Sequence, residues 1–235
     1  MTDNRLLFYS IGPDVEAFTT MRDAELPYPV LCGHQVHGYK VGIVDREGMT
    51  REDFEGYDAL ITNLPIAIGV RTADCIPVLL YDPVHKAVAA IHAGWKGTVQ
   101  KIVLYTISSM IAKYKTDPKD LVAVIGPGIG LESFQVGEEV PQFFKEAGIP
   151  FDIVWKWDGA PESDSMKGGH HIDLKAANKW LLMSNGVKEE NIFVSEIDTY
   201  TDERFFSARR EGYECGRAIS AIKLLRIFGE LHCLQ

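Results

Sequence analysis

Residues 71–97, RTADCIPVLLYDPVHKAVAAIHAGWKG, combine two apolar runs with a dense group of reactive side chains. The apolar runs are Ile76–Tyr81 and Lys86–Ile91, and the Asp82-Pro83 pair between them is typical of a turn. This pattern predicts an antiparallel β-hairpin whose strands are short and buried. The rest of the chain is interpreted outward from this hairpin.

Two reactive side chains lie at the open end of the predicted hairpin, opposite its turn. Cys75 precedes the first strand and His92 follows the second, so we expect both at the same end of the sheet, within reach of one ion or one substrate atom. Residues 93–97 then predict a tight turn from strand to helix, with Thr98 as the candidate cap of a helix over residues 103–114. The N–H groups of that helix would point toward the Cys/His pair.

Segments outside the hairpin predict further strands and helices but no repeat or linker that would divide the chain. A single domain over residues 1–235 is therefore expected. Residues 15–24 predict a short helix, 46–57 a loop, 155–169 a mobile loop, and 218–228 either a strand or a helix. Predicted strands cover residues 6–10, 39–43, 58–62, 66–70, 121–125 and 191–197, and predicted helices cover 137–147 and 174–184.

The bulk composition restricts the classes of partner. A formal charge of −9 and a pI near 5.3 argue against nucleic acid or an anionic membrane as the main partner. No apolar run approaches the roughly 18 residues of a membrane span, and the N-terminus does not resemble a secretion signal. The four cysteines are scattered, which favours reduced thiols. We therefore expect a cytoplasmic protein.

Three side chains are candidate metal ligands: His37, Cys75 and His92. Two imidazoles and one thiolate suit zinc with a fourth position left open for water. The spacing alone does not fix this set, because His34 lies three residues before His37 and is a rival ligand.

A metal-free alternative uses the same residues as a hydrolase triad. In it Cys75 is the nucleophile, His92 the base and Asp74 the group that orients the base. Neighbouring residues on a strand point to opposite faces, so this arrangement requires a bend at Asp74. Cys75 as a plain core residue is the third interpretation.

Other candidate binding residues are an arginine pair and a tryptophan. Arg209 and Arg210 could clamp a phosphate or simply lie in a solvated loop. Trp95, close to His92 in sequence, is a candidate ring for stacking on a base, or a core residue.

Seven motifs in order along the chain carry a family resemblance: HQVHG (34–38), RTADC (71–75), HAGWKG (92–97), GPGIG (126–130), VG (136–137), FSARR (206–210) and GR (216–217). Together they resemble the multicopper polyphenol oxidase, or laccase-domain, family typified by bacterial YfiH and YlmD. The ADC and HAGWKG pair is the most specific part of this likeness. The resemblance implies a single α/β domain of layered mixed β-sheets flanked by helices.

The same resemblance implies a zinc-dependent purine nucleoside enzyme, acting by phosphorolysis of adenosine, inosine, guanosine or methylthioadenosine and by adenosine deamination. The family's zinc ligands correspond to His37, Cys75 and His92. Asp74 is then a candidate catalytic residue. The expected partners are purine nucleosides and phosphate, with the chain a monomer or homodimer, and the expected phosphate-binding residues are Arg71, Arg209 and Arg210.

Two further hypotheses remain beside the nucleoside enzyme and the hydrolase. One is a copper-dependent polyphenol oxidase, as the family name suggests, although seven histidines are few for an electron relay through several coppers. The other is a non-catalytic zinc-binding module, which predicts a closed site with four protein ligands.

Overall fold

The computed structural model describes residues 5–159 and 169–225. The strands in these ranges are β1 (Leu6–Phe8), β2 (Val15–Thr20), β3 (Leu31–Cys32), β4 (Val41–Ile43), β5 (Ala59–Thr62), β6 (Ile68–Thr72), β7 (Ile76–Asp82), β8 (Ala87–Ala93), β9 (Val122–Ile125), β10 (Gln135–Val136), β11 (Trp155–Trp157), β12 (His170–Ile172), β13 (Ile192–Val194) and β14 (Ala218–Leu224). The α-helices are α1 (Trp95–Val99), α2 (Ile102–Tyr114), α3 (Glu139–Glu146), α4 (Phe151–Val154), α5 (Leu174–Ser184) and α6 (Ala208–Glu211).

The central layer is a six-stranded mixed sheet in the order β13-β9-β7-β8-β5-β4. Its middle is the predicted hairpin, in which β7 and β8 pair antiparallel along their full length and are buried throughout. Asp82 fixes the turn, since its Oδ1 accepts hydrogen bonds of 2.9 Å from the N–H groups of Val84 and His85. The prediction of the hairpin and of its turn residue is confirmed.

Each face of this sheet packs against a different layer. Along β7 the side chains alternate, so Val78 and Leu80 face one core and Leu79 and Tyr81 face the other. The first core is shared with α2 and α5, and the second with a five-stranded mixed sheet in the order β1-β2-β14-β6-β3. A three-stranded sheet, β10-β12-β11, adds its apolar residues to the helix-side core. The expected α/β fold of layered mixed sheets flanked by helices is confirmed.

Several local predictions were wrong for reasons of tertiary context. Residues 15–20 form β2 rather than a helix, because β1 and β14 pair with it on both sides. The helix after the hairpin begins at Trp95 rather than beyond Thr98, which is buried inside α1, and Lys101 with φ of 61° separates α1 from α2. Residues 218–224 are a strand.

The predicted loop over 155–169 begins with a strand, β11, and its residues 160–168 lie outside the described part, as do residues 1–4 and 226–235 of the expected single domain. None of the helices formed by the described residues is long and apolar enough to cross a bilayer.

Candidate metal centre

The three predicted ligands converge at one end of the β7/β8 hairpin. Their ligand atoms all lie within 4.8 Å of one another, and within the described ranges they are the one group of His, Cys or carboxylate side chains so arranged. His92 lies on β8 opposite Pro77, Cys75 lies just before β7, and His37 reaches in from the loop between β3 and β4. The rings of His37 and His92 meet edge to face, with centroids 4.8 Å apart.

Two unusual backbone conformations direct these side chains inward. His37 has φ of 61° and Asp74 has φ of 85°, a region that side-chain-bearing residues rarely adopt. The bend at Asp74 ends the alternation of side chains before Cys75. Behind the cluster, a Cβ on Gly94 would lie 2.9 Å from Cys75 Sγ and 3.1 Å from His37 Cδ2, so only glycine leaves room for both ligands.

A buried carboxylate that the sequence did not single out, Asp58, holds both histidines. Its Oδ1 lies 2.7 Å from His92 Nδ1 and accepts the N–H of His37 at 2.9 Å. Its Oδ2 accepts the N–H groups of Val36 and Gly38 at 3.1 and 2.8 Å. Because Nδ1 of His92 donates to Asp58, Nε2 is left as the ligand atom, the usual arrangement behind a metal-bound histidine.

The electrostatics of the cluster favour a thiolate. Burial alone would raise the pKa of Cys75, but the charge of His92 and hydrogen bonds from His37 and His92 outweigh it and lower the pKa to about 6. Burial likewise opposes the charged form of His92, yet Cys75 and Asp58 raise its pKa to about 9. A thiolate beside two imidazoles is a donor set that fits Zn²⁺ or a copper ion, and the three side chains leave a fourth position open.

Asp74 has a different role from the one that the triad hypothesis gave it. Its Oδ1 accepts the hydroxyl of Thr199 and its Oδ2 accepts the backbone N–H of Arg209, both at 2.7 Å. The carboxylate that bonds to His92 is Asp58, which corrects the predicted triad. Asp74 instead ties the loop after β13 and the start of α6 to the turn between β6 and β7 that carries Cys75.

Two cavities meet at the cluster and share the wall formed by His37, Ala73, Cys75, Ala208 and Tyr213. The first, which we call the basic cavity, has a volume of about 460 Å³. The second, the aromatic cavity, has a volume of about 590 Å³. Any group bound between the three ligand atoms would therefore be reached from both sides.

Arginines dominate the basic cavity. Arg51 and Arg71 line it, and the side chains of both make no hydrogen bond or ion pair with any residue that the structure describes. Arg217 also lines it, but its guanidinium donates to the backbone carbonyls of Tyr213, Cys215 and Gly216. Two unpaired guanidinium groups thus face this cavity.

Apolar and aromatic side chains dominate the other cavity, where Trp95 and Phe134 stand among Ile129, Val136 and Val140. Both rings are already in contact with other groups. Trp95 packs against Phe143 with centroids 5.9 Å apart. The guanidinium of Arg209 lies 5.6 Å from the Phe134 centroid and donates to the carbonyl of Gln135 at 2.8 Å.

The predicted arginine pair is divided by the structure. Arg209 lines the aromatic cavity, whereas Arg210 lines neither cavity. The guanidinium of Arg210 is bound to the carbonyls of Thr199, Tyr200 and Phe205 and to the carboxylate of Glu211. This corrects the prediction for Arg210, whose side chain organises the loop beneath the site.

The model of the multi-copper polyphenol oxidoreductase laccase family matches residues 16–225. The chain belongs to this family. A purine nucleoside phosphorylase of Bacteroides thetaiotaomicron is 44% identical over 179 residues, which are 74% of this chain and 63% of that protein. The chain thus spans less than two thirds of that relative's length.

Two further matches agree with the family and the fold. The adenosine deaminase RL5 of an unknown prokaryotic organism is 37% identical over 80% of this chain and 72% of its own length. The crystal structure of the hypothetical protein YfiH from Bacillus licheniformis superimposes with a TM-score of 0.78 at 26% identity, covering 89% of this chain and 92% of that one. The family resemblance read from the motifs is confirmed.

The other histidines in the part of the chain that the structure describes are bonded elsewhere. His34 contacts Glu55 at 2.8 Å and His85 contacts Asp82 at 3.1 Å. His170 accepts from the indole N–H of Trp155 at 2.8 Å, and His171 lies 3.1 Å from the carbonyl of Leu131. His34 was a rival ligand, but the described structure groups His37, not His34, with Cys75 and His92.

Proposed function

We propose that this chain is a metal-dependent enzyme of purine nucleosides, with phosphorolysis as its main reaction and adenosine deamination as a second. The observation that carries this proposal is the meeting of two unlike cavities at His37 and Cys75. One cavity suits an anion and the other suits an apolar ring system. The printed names of the relatives, purine nucleoside phosphorylase and adenosine deaminase, support the same reaction classes.

Zinc is the metal that we assign to His37, Cys75 and His92, because one thiolate, two imidazoles and an open position match catalytic zinc sites. When bound there, zinc would lower the pKa of a water molecule toward about 7 or polarise a substrate oxygen. Copper is the second candidate. A polyphenol oxidase working through several coppers would need further imidazoles, and those of His34, His85, His170 and His171 are engaged elsewhere.

Phosphate is proposed to bind in the basic cavity. The guanidinium groups of Arg51 and Arg71 match a phosphate group in charge and in donor geometry. A chain with a formal charge of −9 repels phosphate over most of its surface, so a local pair of unpaired cations would also guide the anion to this cavity. Arg51 was not among the residues predicted to bind phosphate.

The nucleoside is proposed to bind in the aromatic cavity, against Trp95 and Phe134, with the guanidinium of Arg209 as a polar contact. Phosphorolysis forms a bond from a phosphate oxygen to ribose C1′ and breaks the bond from C1′ to the base, which takes up a proton. A phosphate oxygen and the C1′ atom of the ribose must therefore be held next to each other. The wall shared by the two cavities, with Cys75 and His37 in it, is the natural meeting point.

Asp74 is proposed as a positioning residue rather than a proton carrier. Both of its carboxylate oxygens already accept hydrogen bonds, from Thr199 and from the N–H of Arg209. Through these bonds it fixes the start of α6, which brings Ala208 and Arg209 to the cavities.

A cysteine hydrolase remains the second candidate, because the 2.7 Å contact between Asp58 and His92 together with the Cys75 thiol reproduces a nucleophile, base and orienting carboxylate. The two candidates differ in their need for metal. A hydrolase would turn over an activated thiol-reactive ester with the metal removed, whereas the nucleoside enzyme would lose its activity.

The deciding experiment is elemental analysis of protein purified without added metal, combined with product analysis after incubation with adenosine, with and without phosphate. We expect about one zinc per chain, adenine only when phosphate is present, and inosine without it. Zinc-loaded protein that leaves adenosine untouched would reject the proposal. Phenol oxidation confined to copper-loaded protein would instead support the oxidase.

A further inference from the structure

Tyr213 lies on the wall between the two cavities and is the most exposed aromatic residue of the site. The residue lines both cavities, yet 86% of its surface is accessible to solvent. No ring contact, hydrogen bond or ion pair joins this side chain to any other residue in the described ranges. Exposed aromatic residues are common on protein surfaces, but this one stands at the edge of two cavities, where its ring can stack on a bound ligand.

The backbone beneath this ring is firmly held. Arg217 donates from Nη2 to the carbonyl of Tyr213 at 2.8 Å and from Nη1 to the carbonyl of Gly216 at 3.0 Å. Gly216 lies so close to the ring of Phe206 that a Cβ would collide with it. Gly212, with φ of 88°, opens the turn. The loop therefore presents a free ring from a fixed position, an arrangement that lowers the entropy lost when the ring meets a ligand.

The other two large rings of the aromatic cavity, Trp95 and Phe134, already contact neighbouring protein groups. Trp95 is packed on Phe143, and Phe134 carries the guanidinium of Arg209. They form a preassembled wall on one side of the cavity. The side toward the basic cavity has Tyr213, whose ring faces remain available.

We propose that Tyr213 stacks on the base of the bound nucleoside and is a specificity-determining residue of this enzyme. The inference rests on the proposed function, since it requires a nucleoside in the aromatic cavity. Stacking responds to the area of a ring more than to its pattern of donors and acceptors. Tyr213 therefore favours the larger purines over pyrimidines without choosing between adenine, hypoxanthine and guanine.

The expected effects are specific to the nucleoside. Removing an aromatic side chain that stacks on a base weakens binding roughly five- to a hundredfold. Tyr213→Ala should raise KM for adenosine or inosine by that factor, leave KM for phosphate and the zinc content unchanged, and reduce the preference for purine over uridine. Tyr213→Phe keeps the ring and should restore wild-type behaviour.

The experiment compares steady-state kinetics and equilibrium binding of inosine for the zinc-loaded full chain and its variants. Tyr200→Ala is the matched control, because Tyr200 is also exposed, at 40%, but lines neither cavity. Equal nucleoside KM in Tyr213→Ala and wild type would overturn the inference, as would a defect that Tyr213→Phe shares. If wild-type protein neither binds nor converts any purine nucleoside, the proposed function itself fails, and this is visible without any variant.

Discussion

The two cavities share one wall, but the side chains that line their other walls differ in whether they already contact other protein groups. In the basic cavity the guanidinium groups of Arg51 and Arg71 have no hydrogen-bond or ion-pair partner among the described residues, whereas in the aromatic cavity Trp95 and Phe134 are already packed against other groups. The difference follows from how each kind of partner is bound. A dianion gains most from cations that need not first break an ion pair, and an apolar ring gains most from a wall that is already dry and rigid.

The two cavities also have side chains in common. His37 and Cys75 belong to both, and two buried carboxylates support this wall from below. Asp58 holds the histidines and Asp74 holds the loop and helix that carry Thr199 and Arg209. Changes to the metal ligands in the shared wall, or to the carboxylate that holds them, should therefore affect both substrates, and changes to a side chain that contacts only one substrate should affect only that substrate.

The largest effect is expected from Cys75→Ser, which removes the thiolate from the shared wall. A hydroxyl is a poor zinc ligand, so bound zinc should fall to background and turnover by roughly a thousandfold with either phosphate or water as co-substrate. Metal content and kcat/KM measure this directly. Cys32→Ser is the control, because Cys32 is buried on β3 and lines neither cavity. Zinc and turnover that survive in Cys75→Ser would contradict the assignment of the site.

Asp58→Asn should have the next largest effect. Asparagine has the same shape but no charge, and one of its two polar atoms no longer accepts, so the contacts to His92 and to the 36–38 loop cannot all be kept. We expect zinc affinity to fall about 10- to 100-fold, as measured by competition with a chromophoric chelator.

A second buried aspartate separates this effect from general destabilisation. Asp82 is fully buried at the opposite end of the same hairpin and accepts the N–H groups of the turn. Asp82→Asn should lower the melting temperature while leaving zinc affinity intact. If both variants lost zinc equally, Asp58 would be a folding residue and not a positioning residue of the metal centre.

Arg71→Gln should affect phosphate binding without affecting nucleoside binding. Loss of one guanidinium from a phosphate site costs about tenfold in KM for phosphate, and KM for the nucleoside and the phosphate-independent deamination should not change. Arg51→Gln is expected to behave in the same way. Arg46→Gln is the matched control, because Arg46 is exposed, lines neither cavity and forms an ion pair of 3.6 Å with its neighbour Asp45. A parallel rise in both KM values would mean that the cavities are not functionally separate.

The sequence predicted those parts of the site that are encoded locally. Two apolar runs and the Asp82-Pro83 turn determine the hairpin, and the hairpin brings Cys75 and His92 to one end whatever surrounds it. His37 was a candidate ligand with His34 as its rival, and the motif resemblance rather than the spacing favoured His37, because no local pattern ties either histidine to Cys75. A left-handed backbone at His37, which aims the ring, carries no signature in its residue type.

Residues that act through distant contacts could not be predicted in this way. Asp58 looks like the first residue of an ordinary strand, and only the antiparallel pairing of β5 with β8 brings it beside His92. Arg51 lies in a polar segment that predicts a loop. The helical spacing of Val15 and Phe18 was misleading because β2 is covered on both faces, so its burial no longer alternates. In each case the deciding partner is far away in the chain.

The smallest effect is expected from a change at Glu211, which helps to hold α6 in place. This helix brings Arg209 to the aromatic cavity. Glu211 at its end accepts hydrogen bonds of 2.7 Å from Arg22 and Arg210, and chiefly the bond from Arg22 lowers the pKa of Glu211 to about 2. A carboxyl group whose pKa is lowered by folding stabilises the protein above its usual pKa of 4.5, and this contribution is lost as the pH falls toward 2.

Glu211→Gln should therefore cost about 1 kcal/mol or less at pH 7, because the group is partly exposed and water screens its charge. The difference from wild type, measured by urea unfolding of the zinc-loaded chains, should shrink between pH 4.5 and 3, since protonation then removes the same charge from the wild type. Groups that titrate in both proteins cancel in this difference. A stability difference that stays constant with pH would show that packing, and not the ion pairs of Glu211 with Arg22 and Arg210, holds α6 in place. These ion pairs would then have no part in positioning Arg209 at the aromatic cavity.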